Sequence, residues 1–113
     1  DARQLNRLAK RGALGLARTG GSAANGSGDF IISFSTAYRI PHSAAGLLTV
    51  QRLADGSPEL DRLFLAAVEA VEEAVLNALF TAVTVTGRDG HTAPALPVEQ
   101  VIAWTVDRSF PRG

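Results

Sequence analysis

Apolar residues recur every three or four positions over residues 1–18, which predicts an amphipathic helix at the start of the chain. Asp1 stands where an N-cap is expected. Gln4 occupies the position from which a capping-box side chain reaches back to the cap. The apolar face predicted for this helix consists of Leu5, Leu8, Gly12 and Leu16.

A longer helix is predicted over residues 58–86, where apolar residues return at the same spacing. Ser57 followed by Pro58 is typical of a helix start, because proline has no N–H to lose at the first helical position. A turn over residues 87–90 and a short helix around residues 98–106 follow. The stripe predicted to be buried on the long helix is Leu60, Leu63, Phe64, Ala67, Val68, Val71, Val75, Leu79 and Val83.

Residues 30–36 show the two-residue alternation of a β-strand with one strongly apolar face, formed by Phe30, Ile32 and Phe34. Residues 37–50 give at most one further, weak strand. A strand needs neighbours that satisfy its backbone N–H and C=O groups. We therefore expect residues outside this sequence to complete the sheet, the chain being either a fragment or one subunit of a processed protein.

The length, charge and composition of the chain exclude several classes of protein. The chain has 113 residues, 46% of them hydrophobic, and its 11 basic and 11 acidic side chains cancel. This length predicts one domain, and the charge balance argues against a nucleic-acid binder. With no membrane span or signal peptide, we expect a soluble, cytoplasmic protein. Without cysteine, and with His42 far from His91 in sequence, no local metal-ligand pair is predicted.

Both predicted helices carry a charged face. In a chain without net charge, such a face favours a solvated surface over a nucleic-acid or subunit contact. A noncatalytic interaction module that uses one of these faces stays open as an alternative function. The basic residues of the first helix are Arg3, Arg7, Lys10, Arg11 and Arg18, and the acidic residues of the second are Glu69, Glu72 and Glu73.

The glycine-rich loop at residues 19–28 contains the candidate chemistry. It has the outline of a phosphate loop, but the lysine is missing, and it joins a helix to a predicted strand rather than a strand to a helix. Ser27 and Asp29 flank Gly28 and place a hydroxyl and a carboxylate at the mouth of the strand. They are candidate catalytic groups, although both residue types also form ordinary turns.

Residues 7–37, RLAKRGALGLARTGGSAANGSGDFIISFSTA, resemble the small C-terminal chain of the L-aminopeptidase D-esterase/amidase family, which includes β-aminopeptidases and a pantetheine hydrolase. Residues 60–90, with the runs EEAVLNAL and TVTGRDG, are similar to the long helix and following turn of that family. The order GLARTG, NGSGD and FSTA makes the resemblance specific.

The resemblance implies an α+β fold, a four-layer αββα sandwich that this chain completes together with a large N-terminal chain of the same precursor. Residues 1–113 would be part of a single domain of this type, with residues 30–36 in an inner sheet and the two long helices covering it. The precursor would cleave itself and expose a Ser or Thr nucleophile at the new N-terminus. That nucleophile would lie upstream of Asp1 by about one strand, roughly 10 residues.

The family implies a Ser/Thr hydrolase that cleaves N-terminal residues or small amides and esters through an acyl-enzyme, without metal or organic cofactor. Ser27 and Asp29 match its catalytic hydroxyl and acidic residue beside the nucleophile; several members carry Glu at the second position. A homo-oligomer of such heterodimers, acting on a small peptide or amide, is expected. An acyl transferase like ornithine acetyltransferase, which has a related fold, is the enzymatic alternative.

Overall fold

The computed structural model describes residues 1–106. Within them lie three α-helices, namely α1 (Ala2–Arg18), α2 (Pro58–Thr81) and α3 (Val98–Val106), and one short two-stranded ladder. The chain divides into two compact units, Asp1–Glu73 and Ala74–Gly113. The long helix α2 begins in the first unit, which also contains α1 and the candidate loop.

The predicted capping box at the start of α1 is confirmed. The Asp1 carboxylate accepts a hydrogen bond from the backbone N–H of Gln4 at 2.9 Å, and the backbone nitrogen of Asp1 donates to Gln4 Oε1 at 3.1 Å. The buried face differs from the predicted one, because Gln4, Gly12 and Gly15 are its most buried positions. Of the predicted face, Gly12 is therefore buried, while its three leucines are half-buried.

Helix α1 packs on α2 through glycine. The buried side chains of α2 are Leu60, Phe64 and Val68, four residues apart along one stripe. At Gly15 the two helices approach so closely that a Cβ would lie 2.8 Å from Val71 Cβ, with the Val68 carbonyl oxygen closer still. Only glycine fits this position, and it lets two backbones pack where larger side chains would separate them.

Basic side chains of α1 reinforce this contact. The guanidinium groups of Arg7 and Arg11 lie over the Phe64 ring, 4.9 and 4.0 Å from its centroid, and their stems cover apolar surface. Near the other end of α1, Arg18 Nη1 lies 3.1 Å from Glu72 Oε2 on α2. Most of the basic face is thus engaged within the chain rather than left for a partner.

The start of α1 is also tied to the segment Arg52–Asp55. The carboxamide nitrogen of Gln4 donates to the Leu53 carbonyl at 2.8 Å and to Asp55 Oδ1 at 3.0 Å. The Asp55 carboxylate also forms an ion pair with Arg3, and Arg52 Nη1 donates to Asp1 Oδ2 at 3.0 Å. Residues about 50 positions apart in sequence are therefore joined by a continuous set of polar contacts.

Residues 30–36 form no strand pairing within residues 1–106, so the prediction that residues outside this sequence complete a strand here stays a prediction. Phe30, Ile32 and Phe34 are 97%, 87% and 78% exposed. The two-residue alternation of side chains persists in this segment. Ile31 lies against Gly12 of α1, while Phe30, Ile32 and Phe34 form the opposite face, which points away from α1. The described residues supply no neighbouring strand to bond this segment, so its backbone cannot enter a ladder.

The weak strand predicted within residues 37–50 is likewise absent. Its apolar side chains are largely exposed, with Ile40 at 68% and Leu47 at 103% of the reference area. Two neighbouring segments therefore leave apolar surface uncovered, far more than a self-contained domain normally shows.

Helix α2 starts as predicted, with Leu60 N donating to Ser57 Oγ at 3.3 Å, but it ends at Thr81 rather than near residue 86. Thr81 Oγ1 donates to the Asn77 carbonyl oxygen, a local bond that satisfies one carbonyl of the last turn. The β-branched residues 83–86 follow the helix, and the last two of them, Val85 and Thr86, pair in a β-ladder instead. Val83, predicted to belong to the helical stripe, lies outside the helix and is 74% exposed.

The second unit contains a small antiparallel hairpin. Strand β1 (Val85–Thr86) pairs with β2 (Thr92–Ala93), and the side chains of Thr86 and Thr92 bond across the ladder at 2.9 Å. The predicted turn is confirmed as one turn of 3₁₀ helix at Arg88–Gly90. The predicted third helix is confirmed as α3. The described residues are therefore mixed, with helices and few strands, as the α+β class requires at a coarse level.

Replacing Gly15 with Ala should destabilise the protein by about 1–3 kcal/mol, because its Cβ would overlap the α2 backbone and force the helices apart. Thermal or urea unfolding of the purified protein measures this. Gly56→Ala is the matched control, since a Cβ there meets no atom within 4 Å. Equal stability of the two variants would contradict the close packing.

The hydrogen bond from Gln4, followed by that from Arg3, lowers the pKa of Asp55 below its ordinary value of 3.8. Its charged form is thus favoured by folding, and this stabilisation is complete above about pH 3.8 and lost as the pH falls through the lower folded-state pKa. The unfolding midpoint of wild type should exceed that of Asp55→Asn near neutrality and converge with it in strong acid. A gap that widens as the pH falls would contradict this.

Candidate functional site

The candidate loop begins where α1 is terminated. Thr19 Oγ1 donates to the Leu16 carbonyl at 2.8 Å, and the N–H groups of Thr19 and Gly21 bond the same carbonyl. Gly20 follows at φ +96°, a left-handed conformation that glycine adopts without steric cost. The end of α1 therefore fixes the direction in which the loop departs.

A tight turn then positions Ser27. Its backbone N–H donates to the Ala24 carbonyl at 2.9 Å, which closes a four-residue turn with Gly26 at φ +98° as the third residue. Positive φ at this position is the hallmark of a type II turn and favours glycine. The turn uses the backbone of Ser27, so its hydroxyl is left available.

The two sequence-predicted site residues, Ser27 and Asp29, are both exposed. Among residues 1–106, neither side chain has a hydrogen-bond partner. A Cβ at the intervening Gly28 would meet no atom within 4 Å, so the backbone between them is open to approach. The described residues bring no third catalytic group to this pair, and what the pair offers is an accessible hydroxyl and carboxylate separated by one residue.

Two clefts that the sequence did not predict flank the start of α1. One, of about 480 Å³, is lined mainly by apolar side chains, and the other, of about 670 Å³, shares Tyr38 and Leu5 with it. Ser27 and Asp29 line neither. The first cleft includes Leu5, Leu8, Tyr38, Leu53, Leu60 and Leu63.

The clefts were missed because residues 37–56 carry no clear periodicity, and sequence offered no means of placing them beside α1. Gln4, which lines the first cleft, had a position that the sequence predicted, as the capping-box residue of α1. Within residues 1–106, no three His, Asp or Glu side chains cluster as metal ligands, and no helix is long and apolar enough to cross a bilayer.

Comparison with known proteins connects this loop to a protease family. Residues 1–93 match Peptidase family S58. β-Peptidyl aminopeptidase BapA from Sphingosinicella microcystinivorans is 43% identical over 95 residues, which cover 83% of this chain and 24% of that protein. BapA from Sphingosinicella xenopeptidilytica is 36% identical over 109 residues, which cover 96% of this chain and 27% of that protein.

A solved structure has the same fold. The crystal structure of the PH0078 protein from Pyrococcus horikoshii OT3 matches with a TM-score of 0.85 and 47% identity, covering 96% of this chain and 30% of that one. The chain spans about a quarter of the length of the two aminopeptidases, at 24% and 27%. The match over residues 1–93 confirms the resemblance to the L-aminopeptidase D-esterase/amidase family, and the chain belongs to peptidase family S58.

Proposed function

We propose that this chain is the small chain of a self-processed aminopeptidase or amidase that hydrolyses N-terminal residues or small amides through an acyl-enzyme. The observation that carries the proposal is the match to Peptidase family S58 over residues 1–93, which include the loop with Ser27 and Asp29. Two relatives named β-peptidyl aminopeptidase, 43% and 36% identical, support the substrate class.

The partner in this proposal is the large N-terminal chain of the same precursor. Its existence is supported by the quarter-length coverage of the aminopeptidases and by the exposed apolar face of Phe30, Ile32 and Phe34. A neighbouring strand from the large chain would complete the backbone hydrogen bonds of residues 30–36 and bury that face. The assembled domain is then the four-layer αββα sandwich, in homo-oligomers of such heterodimers.

The chemistry needs a nucleophile and a base. In the proposed mechanism, self-cleavage exposes a Ser or Thr whose own α-amine accepts the hydroxyl proton, because an α-amine has an unperturbed pKa of about 8. The hydroxyl oxygen attacks the substrate carbonyl and the leaving amine departs with a proton, which gives an acyl-enzyme. Water then attacks the acyl group and releases the acid product.

Ser27 and Asp29 act beside this centre. The tight turn at Gly26 holds Ser27 with a free hydroxyl, which relays a hydrogen bond to the nucleophile or its amine. Asp29 orients that bond and offsets the positive charge of the protonated amine. The oxyanion donors come from the large chain.

The alternatives are less well supported. A noncatalytic module built on the basic face of α1 conflicts with the internal contacts of Arg3, Arg7, Arg11 and Arg18. An acyl transferase like ornithine acetyltransferase shares the expected architecture, but the similar proteins are named aminopeptidases.

Intact mass of the complete protein should show two fragments, the smaller of which begins with Ser or Thr upstream of Asp1. The processed protein should release nitroaniline from an alanine nitroanilide or cleave a short β-peptide. One uncut and inactive chain would contradict the hydrolase, and acetyl transfer from acetylornithine without hydrolysis would favour the transferase.

Replacing Ser27 with Ala should lower self-cleavage or turnover by at least about tenfold, about 1.4 kcal/mol, because the relayed hydrogen bond is lost. Its thermal unfolding midpoint should not change, since the side chain is exposed and unbonded within the described residues. Ser22→Ala in the same loop is the matched control and should keep wild-type kinetics. Equal kinetics of the two variants would reject the role of Ser27.

A further inference from the structure

Gln4 is the one polar side chain buried among the described residues, at 8% exposure, and both ends of its carboxamide are used. The oxygen accepts from the backbone nitrogen of Asp1, while the nitrogen donates to the Leu53 carbonyl and to Asp55 Oδ1. A carboxylate at this position would keep the first bond and lose both donated ones. The site is therefore specific for an amide rather than for any polar side chain of this size.

These contacts hold the N-terminal end of α1, which we treat as a rigid rod. Near the other end of α1, Gly15 lies directly against the backbone of α2, so we take this point as the pivot about which the helix start would tilt if the contacts of Gln4 were lost. From Gly15 to Asp1 the helix extends about 21 Å at 1.5 Å per residue, so a tilt of about 5° moves Asp1 by roughly 2 Å. Displacements of about 1 Å at a reacting group can cost about a hundredfold in rate.

We propose that Gln4 and Asp55 are positioning residues, which fix the direction in which the chain enters α1 and thereby place the catalytic nucleophile that precedes it. The inference rests on the proposed function, in which that nucleophile is covalently joined upstream of Asp1. Asp55 aligns the amide of Gln4 and is itself aligned by Arg3, so the segment Arg52–Asp55 serves as a fixed support for the start of the helix. Neither side chain is required to touch the substrate.

The test is Gln4→Glu in the complete protein, with kcat normalised to the number of active sites, counted as self-cleaved chains by intact mass. The variant keeps the shape and the capping-box acceptor but sets a carboxylate against the Leu53 carbonyl and Asp55. We expect kcat on alanine nitroanilide to fall by at least about tenfold with KM changed less than about twofold, because the tilt of α1 displaces the nucleophile and not the bound substrate. Self-cleavage should slow in parallel.

Glu72→Ala is the matched control for Asp55→Ala, because it removes another solvent-accessible ion pair of α1, that of Arg18 with Glu72, on the other side of Gly15. It should leave kcat per active site within about twofold of wild type. Asp55→Ala provides a second variant on the exposed side of the network, should Gln4→Glu fail to fold, and should lower kcat in the same direction. A normal kcat per active site in both network variants, with only a lower melting temperature, would overturn the inference while leaving the proposed function intact. A wild-type protein that neither cleaves itself nor hydrolyses the substrate would overturn both.

Discussion

The first unit depends on the close approach of α1 and α2 at Gly15. Because a glycine faces the backbone of the second helix there, the helices share a narrow contact that Phe64 and Val68 extend and that Arg7 and Arg11 cover. Backbone-to-backbone packing leaves little freedom for either helix to shift along the other. This contact therefore fixes α1 against α2, while the start of α1 is held by the bonds of Gln4 to Leu53 and Asp55.

This contact alone does not give the chain a core of ordinary size. Leu60, Phe64 and Val68 are the buried apolar side chains in the described residues, while the apolar face of residues 30–36 is exposed. This balance of buried and exposed apolar surface is unusual, since a chain of this length normally buries well over half of the surface it exposes when unfolded. The proposed large chain accounts for the imbalance through the sheet that it would complete.

The candidate site is likewise divided between groups within this sequence and groups proposed to lie outside it. This chain contributes an exposed hydroxyl at Ser27 and a carboxylate at Asp29, held at the end of a helix by a glycine turn. In the proposed mechanism, the nucleophile, the base and the oxyanion donors are residues outside this sequence. Catalytic residues commonly lie on loops that a rigid element of the scaffold positions. Here that element is α1, which is anchored at both ends.

Local patterns determined the helices, the capping box at Asp1 and Gln4, the Ser57 start of α2 and the turn at residues 88–90, because each depends on neighbours within a few positions. The motif order also determined the family and identified Ser27 and Asp29 as candidates, although their catalytic roles stay predictions. Tertiary structure decided the rest. The unpaired state of residues 30–36, the early end of α2 at Thr81 and the bond from Gln4 to Asp55 depend on which distant backbone is available as a partner, and no local periodicity encodes that.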